Sequence, residues 1–444
     1  MPHAGPHLWI ILMSGATTSM RCLETPRHFR VMVDGIRHKQ ISGRIPSGSH
    51  SMNSSMGSLD NFSAAAAWAP MGSFLSAMCG AQFAYAYELF QRSMRQFGPP
   101  SYHLDTVCQD GKHVPVTMTV VAETPFCRLL RFSVGDGHGV RRMLCAPLAG
   151  HRAVVVRDAI ESMLLDADVY VTDWIDARDV PREAGHFGLA DCVLLLEQFM
   201  TLLDPARLDV VAICQATIPC IAAVSRLASG DAPEVRALVL MGGPLDARLH
   251  PTRLGDIAAM MPLPVFLAHC TGAVPHEYRG AGRIVYPGFL QLPTLACGQP
   301  ERLSAMVFAA LQGPWPGSRA QADLRHAAVA GYVAMMDMPV EFVLDTMRIV
   351  FREHLLPRGS WYVGGMPVDP AAMRTTRLLT VEGQLDTITG AGQTHAAQTL
   401  CRGLERRLCT QVTVPGCDHY GLFSGPVWRS RVYPMLRSWL NAPA

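Results

Sequence analysis

The chain has 444 residues, 49 % of them hydrophobic and 17 % charged, with a formal net charge of +2. That length suits one large domain or two smaller ones, and the near-neutral balance, with basic residues scattered singly, excludes the electrostatic footprint of a nucleic-acid binder. The 13 cysteines include no CxxC pair and no zinc-like Cys/His spacing, so they read as reduced thiols of a cytosolic protein, with no metal site implied. No transmembrane segment is expected, because no stretch reaches the about 18–20 consecutive apolar residues a membrane helix needs.

Residues 1–70 read as a disordered extension, since positions 17 to 60 are rich in Ser, Gly, Arg and Met without periodicity. Leu8–Met13 is apolar but lacks the basic start and the small-residue cleavage site of a secretory signal. Ser76–Arg95 has helical spacing and is ended by Gly98-Pro99-Pro100. Val114–Val121, Arg128–Phe132 and Met143–Pro147 read as strands, the last followed by Leu148-Ala149-Gly150-His151. Then come a helix over Ala153–Leu165, a strand over Asp168–Trp174, a helix over Ala190–Leu203, a strand over Leu208–Ile213, a helix from Ile218, and a strand over Arg236–Met241 that stops at Gly242-Gly243-Pro244.

The alternation pauses from about Leu245 to Arg374, where helical stretches (Arg302–Leu311, Ala327–Met336, Val340–His354) are broken by Gly and Pro. It resumes with a strand over Arg377–Val381, a helix over Gln393–Leu404, a strand over Thr410–Val414 and a helix over Val427–Leu440. Strands alternating with helices predict an α/β fold, a mostly parallel sheet covered on both faces. Residues 71–244 and 375–444 would form its core. Residues 245–374 would be a cap inserted above the carboxyl ends of the strands.

One junction stands out. The apolar strand Leu208–Ile213 runs straight into Cys214 and then a helix, the layout of a nucleophile elbow. Such a turn is sharp and needs small residues two before and two after the nucleophile; here they are Ala212 and Ala216. No Gly-x-Ser-x-Gly occurs in the chain, so the box is Ala-Ile-Cys-Gln-Ala, with a thiol as the nucleophile. A thiol of this kind needs a base, commonly a histidine held by a carboxylate, and α/β-hydrolases order the three as nucleophile, acid, histidine. Asp386 lies in the turn after the strand Arg377–Val381, and His419 in the loop after Thr410–Val414. Both positions fit. Glu382 and Asp418 are rival acids, the first placed before the turn, the second adjacent in sequence to the histidine and so aimed elsewhere. The oxyanion of an acyl transfer needs two donors, expected from the backbone N–H of Gln215 and from the loop at Leu148 and Ala149. Phe289, Leu290, Trp361 and Tyr362 are candidates for an apolar substrate entrance.

These motifs sit in a recognisable set of longer stretches: TPFCRLLRF (124–132), VYVTDWIDARDVP (169–181), AICQ (212–215), YPGFLQL (286–292), MMDMPVEFVLDTMRIVF (335–351), LLTVEGQLDTITGAGQTHAAQTLC (378–401) and HYGLFSG (419–425). Over roughly residues 80–440 the chain resembles the intracellular poly(3-hydroxybutyrate) depolymerases, the polyhydroxyalkanoate depolymerases of the storage granule. The resemblance implies an α/β-hydrolase fold with a cap and no cofactor. It puts a Cys-Asp-His triad on Cys214, Asp386 and His419. The implied reaction is ester hydrolysis of amorphous polymer at a cytoplasmic granule surface, through a thioester, releasing 3-hydroxybutyrate or short oligomers. Two positions depart from the family pattern: Ala216 stands where proline is usual, and Asp418 where glycine is usual. Acyl transfer as in polyhydroxyalkanoate synthases, thiolysis by coenzyme A, and a granule-bound protein with an impaired site remain as alternatives. A homo-oligomer is left open.

Overall fold

A computed structural model describes residues 101–150, 152–230, 232–291 and 335–442. The expected N-terminal extension, the helix over Ser76–Arg95, His151 and the helical stretch Arg302–Leu311 lie outside the described residues, as does most of Ala327–Met336.

The described residues begin with a hairpin, β1 (Thr106–Gln109) and β2 (Lys112–Glu123), and continue into β3 (Cys127–Val134) and β4 (Arg141–Cys145). Helix α1 (Arg157–Met163), β5 (Asp168–Trp174), α2 (Leu189–Leu202), β6 (Leu208–Ile213), α3 (Thr217–Ser229) and β7 (Ala237–Met241) follow. Between β7 and the next long strand lie α4 (Arg253–Met260), α5 (Leu263–His269), a small sheet of β8 (Gly272–Ala273), β9 (Ile284–Tyr286) and β10 (Met338–Pro339), helix α6 (Val340–Thr346), and a hairpin of β11 (Tyr362–Val363) and β12 (Met366–Pro367). The chain closes with β13 (Arg377–Gly383), α7 (Ala397–Leu400), β14 (Cys409–Val414) and α8 (Tyr433–Asn441).

Among the described residues the main sheet has nine strands in the order β1-β2-β3-β5-β4-β6-β7-β13-β14. β3 meets β5 antiparallel, and from β5 onward every neighbouring pair is parallel. The exchange of β4 and β5, followed by a parallel run with a helix after each strand, is the topology of the α/β-hydrolase fold. Among the described residues no helix is long and apolar enough to cross a membrane.

The strand sequences show why the sheet is covered on both faces. All residues of β6 and β7 are buried. Side chains alternate across the sheet, so Val210 and Ala212 pack with α2 and α3 while Val211 and Ile213 pack with α1 and α8. Each fully buried Val, Leu or Ile contributes about 1.5–3 kcal/mol, so a strand apolar on both faces is held in the middle of the sheet. Buried Arg142 ties the opposite end together, bonded to Asp166 at 2.6 Å and to Asn441 at 2.8 Å. The segment between β7 and β13 has a core of its own, built from Met261, Phe266, Leu290, Met338 and Val343 among others.

Three elements differ from the sequence expectation. The strand expected over Met143–Pro147 stops at Cys145, because Ala146 N–H bonds to the Thr172 hydroxyl at 2.9 Å and Pro147 has no N–H for a ladder. The helix expected over Gln393–Leu404 is helical only at Ala397–Leu400. The Glu382 carboxylate takes the backbone N–H groups of Gly392, Thr394 and His395 at 2.8–2.9 Å, and so holds the preceding residues in turns. The β1–β2 hairpin was not expected as a pair. Its turn is Asp110-Gly111 with φ of 50° and 76°, the left-handed pair of a type I′ turn.

Candidate active site

β4, β6, β13 and β14 run parallel, so the loops that follow them open at one edge of the sheet, where ligands bind in open α/β folds. Cys214 directly follows β6 and begins the turn into α3, with φ +56°. A non-glycine residue in this region costs on the order of 1–3 kcal/mol and persists only where its surroundings enforce it. The enforcement is visible. Ala212 and Ala216 are buried on either side, Thr217 donates its hydroxyl to the Cys214 carbonyl at 2.8 Å, and Gly243 packs over both. A Cβ on Gly243 would fall 1.7 Å from the Thr217 Oγ1 and 2.5 Å from the Cys214 carbonyl oxygen. Gly243→Ala is therefore expected to destabilise the fold by about 1–3 kcal/mol, measurable as a lower midpoint in urea unfolding; an unchanged midpoint would contradict this packing.

Asp386 lies in the turn beyond β13. Its Oδ1 accepts from the Ile388 and Thr389 N–H groups at 2.8 and 2.9 Å, and its Oδ2 accepts from His419 Nδ1 at 2.7 Å. A carboxylate only accepts, so the proton sits on Nδ1 and, in the neutral ring, Nε2 is the unprotonated nitrogen. Cys214 and His419 line the same cavity, and the sulfur is among the groups that raise the His419 pKa. The His419 and Asp386 side chains are each 3 % exposed. The His419 ring is held edge-on by Tyr420 and Phe423, with centroids 5.6 and 6.0 Å away. Gly242, at φ +58°, leaves room for it, because a Cβ there would lie 3.3 Å from His419 Cε1 and 2.8 Å from Leu422 Cδ1.

Burial works against the imidazolium of His419, but the charge of the Asp386 carboxylate, the Cys214 sulfur and the hydrogen bond to Asp386 outweigh it. Its pKa is held well above the usual 6.5. A raised folded-state value means that protonation stabilises the fold. That contribution is complete below about pH 6.5, where the unfolded chain is protonated too, and is lost as pH rises through the folded value. Wild-type stability should thus fall relative to His419→Gln between about pH 6.5 and the raised folded value, read as the difference in urea midpoints; midpoints that run in parallel would contradict the shift. Cys417, in the same loop as His419, is different: burial pushes its thiol up to about 12, so it stays protonated and unreactive.

The rival acids have other partners. Glu382 is buried and engaged by the three loop N–H groups described above. Asp418 is exposed and accepts from Gly421 N at 2.7 Å, which fixes the turn carrying His419. Two loops are pinned together at this edge, since Leu385 N bonds to the Cys417 carbonyl at 2.9 Å and Gly416 N to the Gln384 side chain at 2.9 Å.

Cys214 and His419 face a cavity of about 220 Å³ whose wall is almost entirely apolar. Ala149 and Gln215 line it, whereas the Leu148 side chain is buried in the core and does not. Gly150, at φ +86°, allows a close approach, but the approach is to the side chains of Gln291 and Met335. The far wall comes from the segment between β7 and β13: Leu254, Gly255 and Ala258 of α4, Thr346 of α6, and Val350 and Phe351. The last two lie in a π-helical turn, Met347–Arg352, that extends α6, and such turns are frequent at functional sites.

The four residues expected at a substrate entrance do not line this cavity. Trp361, 2 % exposed, is locked in the main core; Leu290, 5 % exposed, belongs to the separate core of the inserted segment, with Phe289 packed beside it. Tyr362 is 63 % exposed on the β11–β12 hairpin. The site also includes Gly242, Gly243, Thr389 and the walls from α4 and the π-helical turn, which sequence pattern does not single out as site components. The Gly-Gly-Pro run at the end of β7 was the available signal for the first two.

Residues 242–443 match the family profile described as PHB de-polymerase C-terminus. No curated protein gives a significant match to the chain. Solved structures similar to it include esterase E22, at 12 % identity and TM-score 0.46 over 73 % of this chain and 100 % of that one. Others are the 2-hydroxy-6-oxo-6-phenylhexa-2,4-dienoate hydrolase of Rhodococcus sp. strain RHA1, at 14 % identity and TM-score 0.41 over 74 % and 100 %, and a carboxylesterase structure from Nitrososphaera gargenis, at 12 % identity and TM-score 0.38 over 76 % and 97 %. The strand order gives this chain an α/β-hydrolase fold, and its residues 242–443 match the PHB depolymerase C-terminus family.

Proposed function

We propose that the chain hydrolyses the ester bonds of amorphous poly(3-hydroxybutyrate) at the surface of storage granules, with Cys214 as nucleophile, His419 as base and acid, and Asp386 as the group that orients the histidine. The observation that carries this reading is that Cys214 and His419, the latter bonded to Asp386, line one apolar cavity, in a chain whose residues 242–443 match the PHB depolymerase C-terminus family. His419, made more basic by Asp386, takes the thiol proton as Cys214 attacks an ester carbonyl. The oxyanion is received by backbone N–H groups of Gln215 and the Leu148–Ala149 loop; the first N–H groups of a helix have no partner within it, and each such donor is worth on the order of 3–4 kcal/mol in the transition state. The alcohol leaves with the proton from His419, and water, deprotonated by the same histidine, cleaves the thioester.

Residues 245–374 act as the cap in this reading, supplying the apolar wall that excludes water from the acyl group. The departures from the family pattern fit an active site. Ala216 keeps the small, buried place the elbow needs, and Asp418 engages Gly421 N without replacing Asp386. The test is release of 3-hydroxybutyrate from amorphous granules by the purified protein. Release that continues until the polymer is consumed supports the reading. Hydrolysis of p-nitrophenyl butyrate without any release from polymer would overturn the substrate, and hydrolysis of neither would overturn the function.

A further inference from the structure

The cavity contains a polar group with no partner. Thr346 donates its hydroxyl to the Phe342 carbonyl at 2.8 Å, Thr389 donates to the Gly242 carbonyl at 2.8 Å, and His419 is bonded to Asp386 at 2.7 Å. Gln215, next to the nucleophile and in the cavity wall, is different: its Oε1 is buried and accepts no hydrogen bond. Leaving a buried acceptor unmet costs about 1–3 kcal/mol, and such groups are rare enough in native proteins to need an explanation. A ligand with an O–H or N–H donor, seated beside Cys214, would supply the missing partner.

The polymer restricts what that ligand can be. The interior of a polyester chain carries carbonyl and ether oxygens, which are acceptors only, so it offers Oε1 nothing. A donor occurs at the hydroxyl end, where the terminal unit has a free 3-hydroxyl two carbons from its own ester carbonyl. With that carbonyl at Cys214, the hydroxyl comes to the neighbouring residue. We propose that Gln215 Oε1 binds the free 3-hydroxyl of the terminal unit, making Gln215 a specificity residue that selects hydroxyl-ended chains for removal of one unit at a time. This rests on the polyester-hydrolase reading given above. In the step itself Cys214 Sγ bonds to the carbonyl carbon of the terminal unit, the ester C–O bond breaks, and the departing oxygen takes the proton held by His419. That oxygen becomes the 3-hydroxyl of the shortened chain, so the recognised end is regenerated. Water then cleaves the thioester, releasing the 3-hydroxy acid and restoring the thiol.

Two methyl-ester trimers of 3-hydroxybutyrate test this, one with its hydroxyl end free and one with that hydroxyl acetylated. Wild-type kcat/KM should favour the free trimer by about tenfold or more, because a site built to bond a hydroxyl discriminates strongly against its loss. In Gln215→Met the preference should fall towards one, and in Gln215→Glu, which keeps an acceptor, it should persist. Equal cleavage of both trimers by wild type, the result expected if the amide were turned to present its N–H₂ to an ester carbonyl, overturns the assignment, as does a preference that survives in Gln215→Met. p-Nitrophenyl butyrate, which has no hydroxyl, separates the two levels. If wild type cleaves it and both trimers equally, only the role of Gln215 fails; if it cleaves none of the three, the esterase reading fails with it.

Discussion

Cys214→Ala is expected to lower ester turnover by on the order of 10⁴–10⁶-fold, since removing a nucleophile from an intact acid–base pair leaves only the binding and oxyanion contributions. The fold should survive the change. Alanine keeps the Cβ that the strained turn already accommodates at φ +56°, and Thr217 still bonds to the backbone carbonyl of residue 214. The far-ultraviolet spectrum and urea midpoint should therefore stay close to wild type while p-nitrophenyl butyrate hydrolysis disappears. Cys417 offers no substitute, since its thiol is buried, pushed up to about 12 and bonded to the Asp418 carbonyl at 3.3 Å. Activity in Cys214→Ala within about tenfold of wild type would place the nucleophile elsewhere.

Asp386→Asn should cost about 10²–10⁴-fold in kcat/KM, through two effects of the same carboxylate. It fixes the Nδ1 proton of His419 through a 2.7 Å bond, so an amide in its place permits the wrong tautomer. It is also the largest of the influences that raise the His419 pKa. Without it, burial should dominate and the limb of the pH–rate profile that reports His419 should move to lower pH. Glu382→Gln makes the contrast. Glu382 holds three backbone N–H groups of the Gly392–His395 turn and does not touch His419, so its loss should appear in unfolding, by about 1–3 kcal/mol, and leave the histidine limb in place. A shifted limb in Glu382→Gln and not in Asp386→Asn would exchange the two roles.

The centre of the fold was legible because its strands are short, mostly apolar runs rich in β-branched residues. β5 and β6 have the bounds expected from the sequence alone, Asp168–Trp174 and Leu208–Ile213. The placement of Cys214, Asp386 and His419 followed from chain order, since parallel strands put their carboxyl-end loops on one edge whatever the loops contain. Local pattern failed where a distant group decides the backbone. Gln393–Leu404 has helical spacing, but the Glu382 carboxylate, from the preceding strand, captures the N–H groups its first turn would have left free. The cavity wall was the least legible part. Trp361 and Leu290 are as apolar as Val350 and Phe351, and hydrophobicity does not separate a side chain that fills a core from one that borders a void. What puts Val350 and Phe351 at the cavity is a π-helical turn, a backbone irregularity with no marker in the residues that form it.

Catalysis by this route requires a sulfur that takes up the acyl group from the ester. The direct measurement is mass spectrometry of the full chain, acid-quenched after brief exposure to a hydroxyl-ended 3-hydroxybutyrate oligomer and then digested. The predicted result is one 3-hydroxybutyryl group per chain, on the peptide containing Cys214, sensitive to hydroxylamine and missing in Cys214→Ala. An acyl group found on any other residue, or substrate consumed with the thiol of Cys214 never modified even when His419→Gln slows the second step, would contradict it.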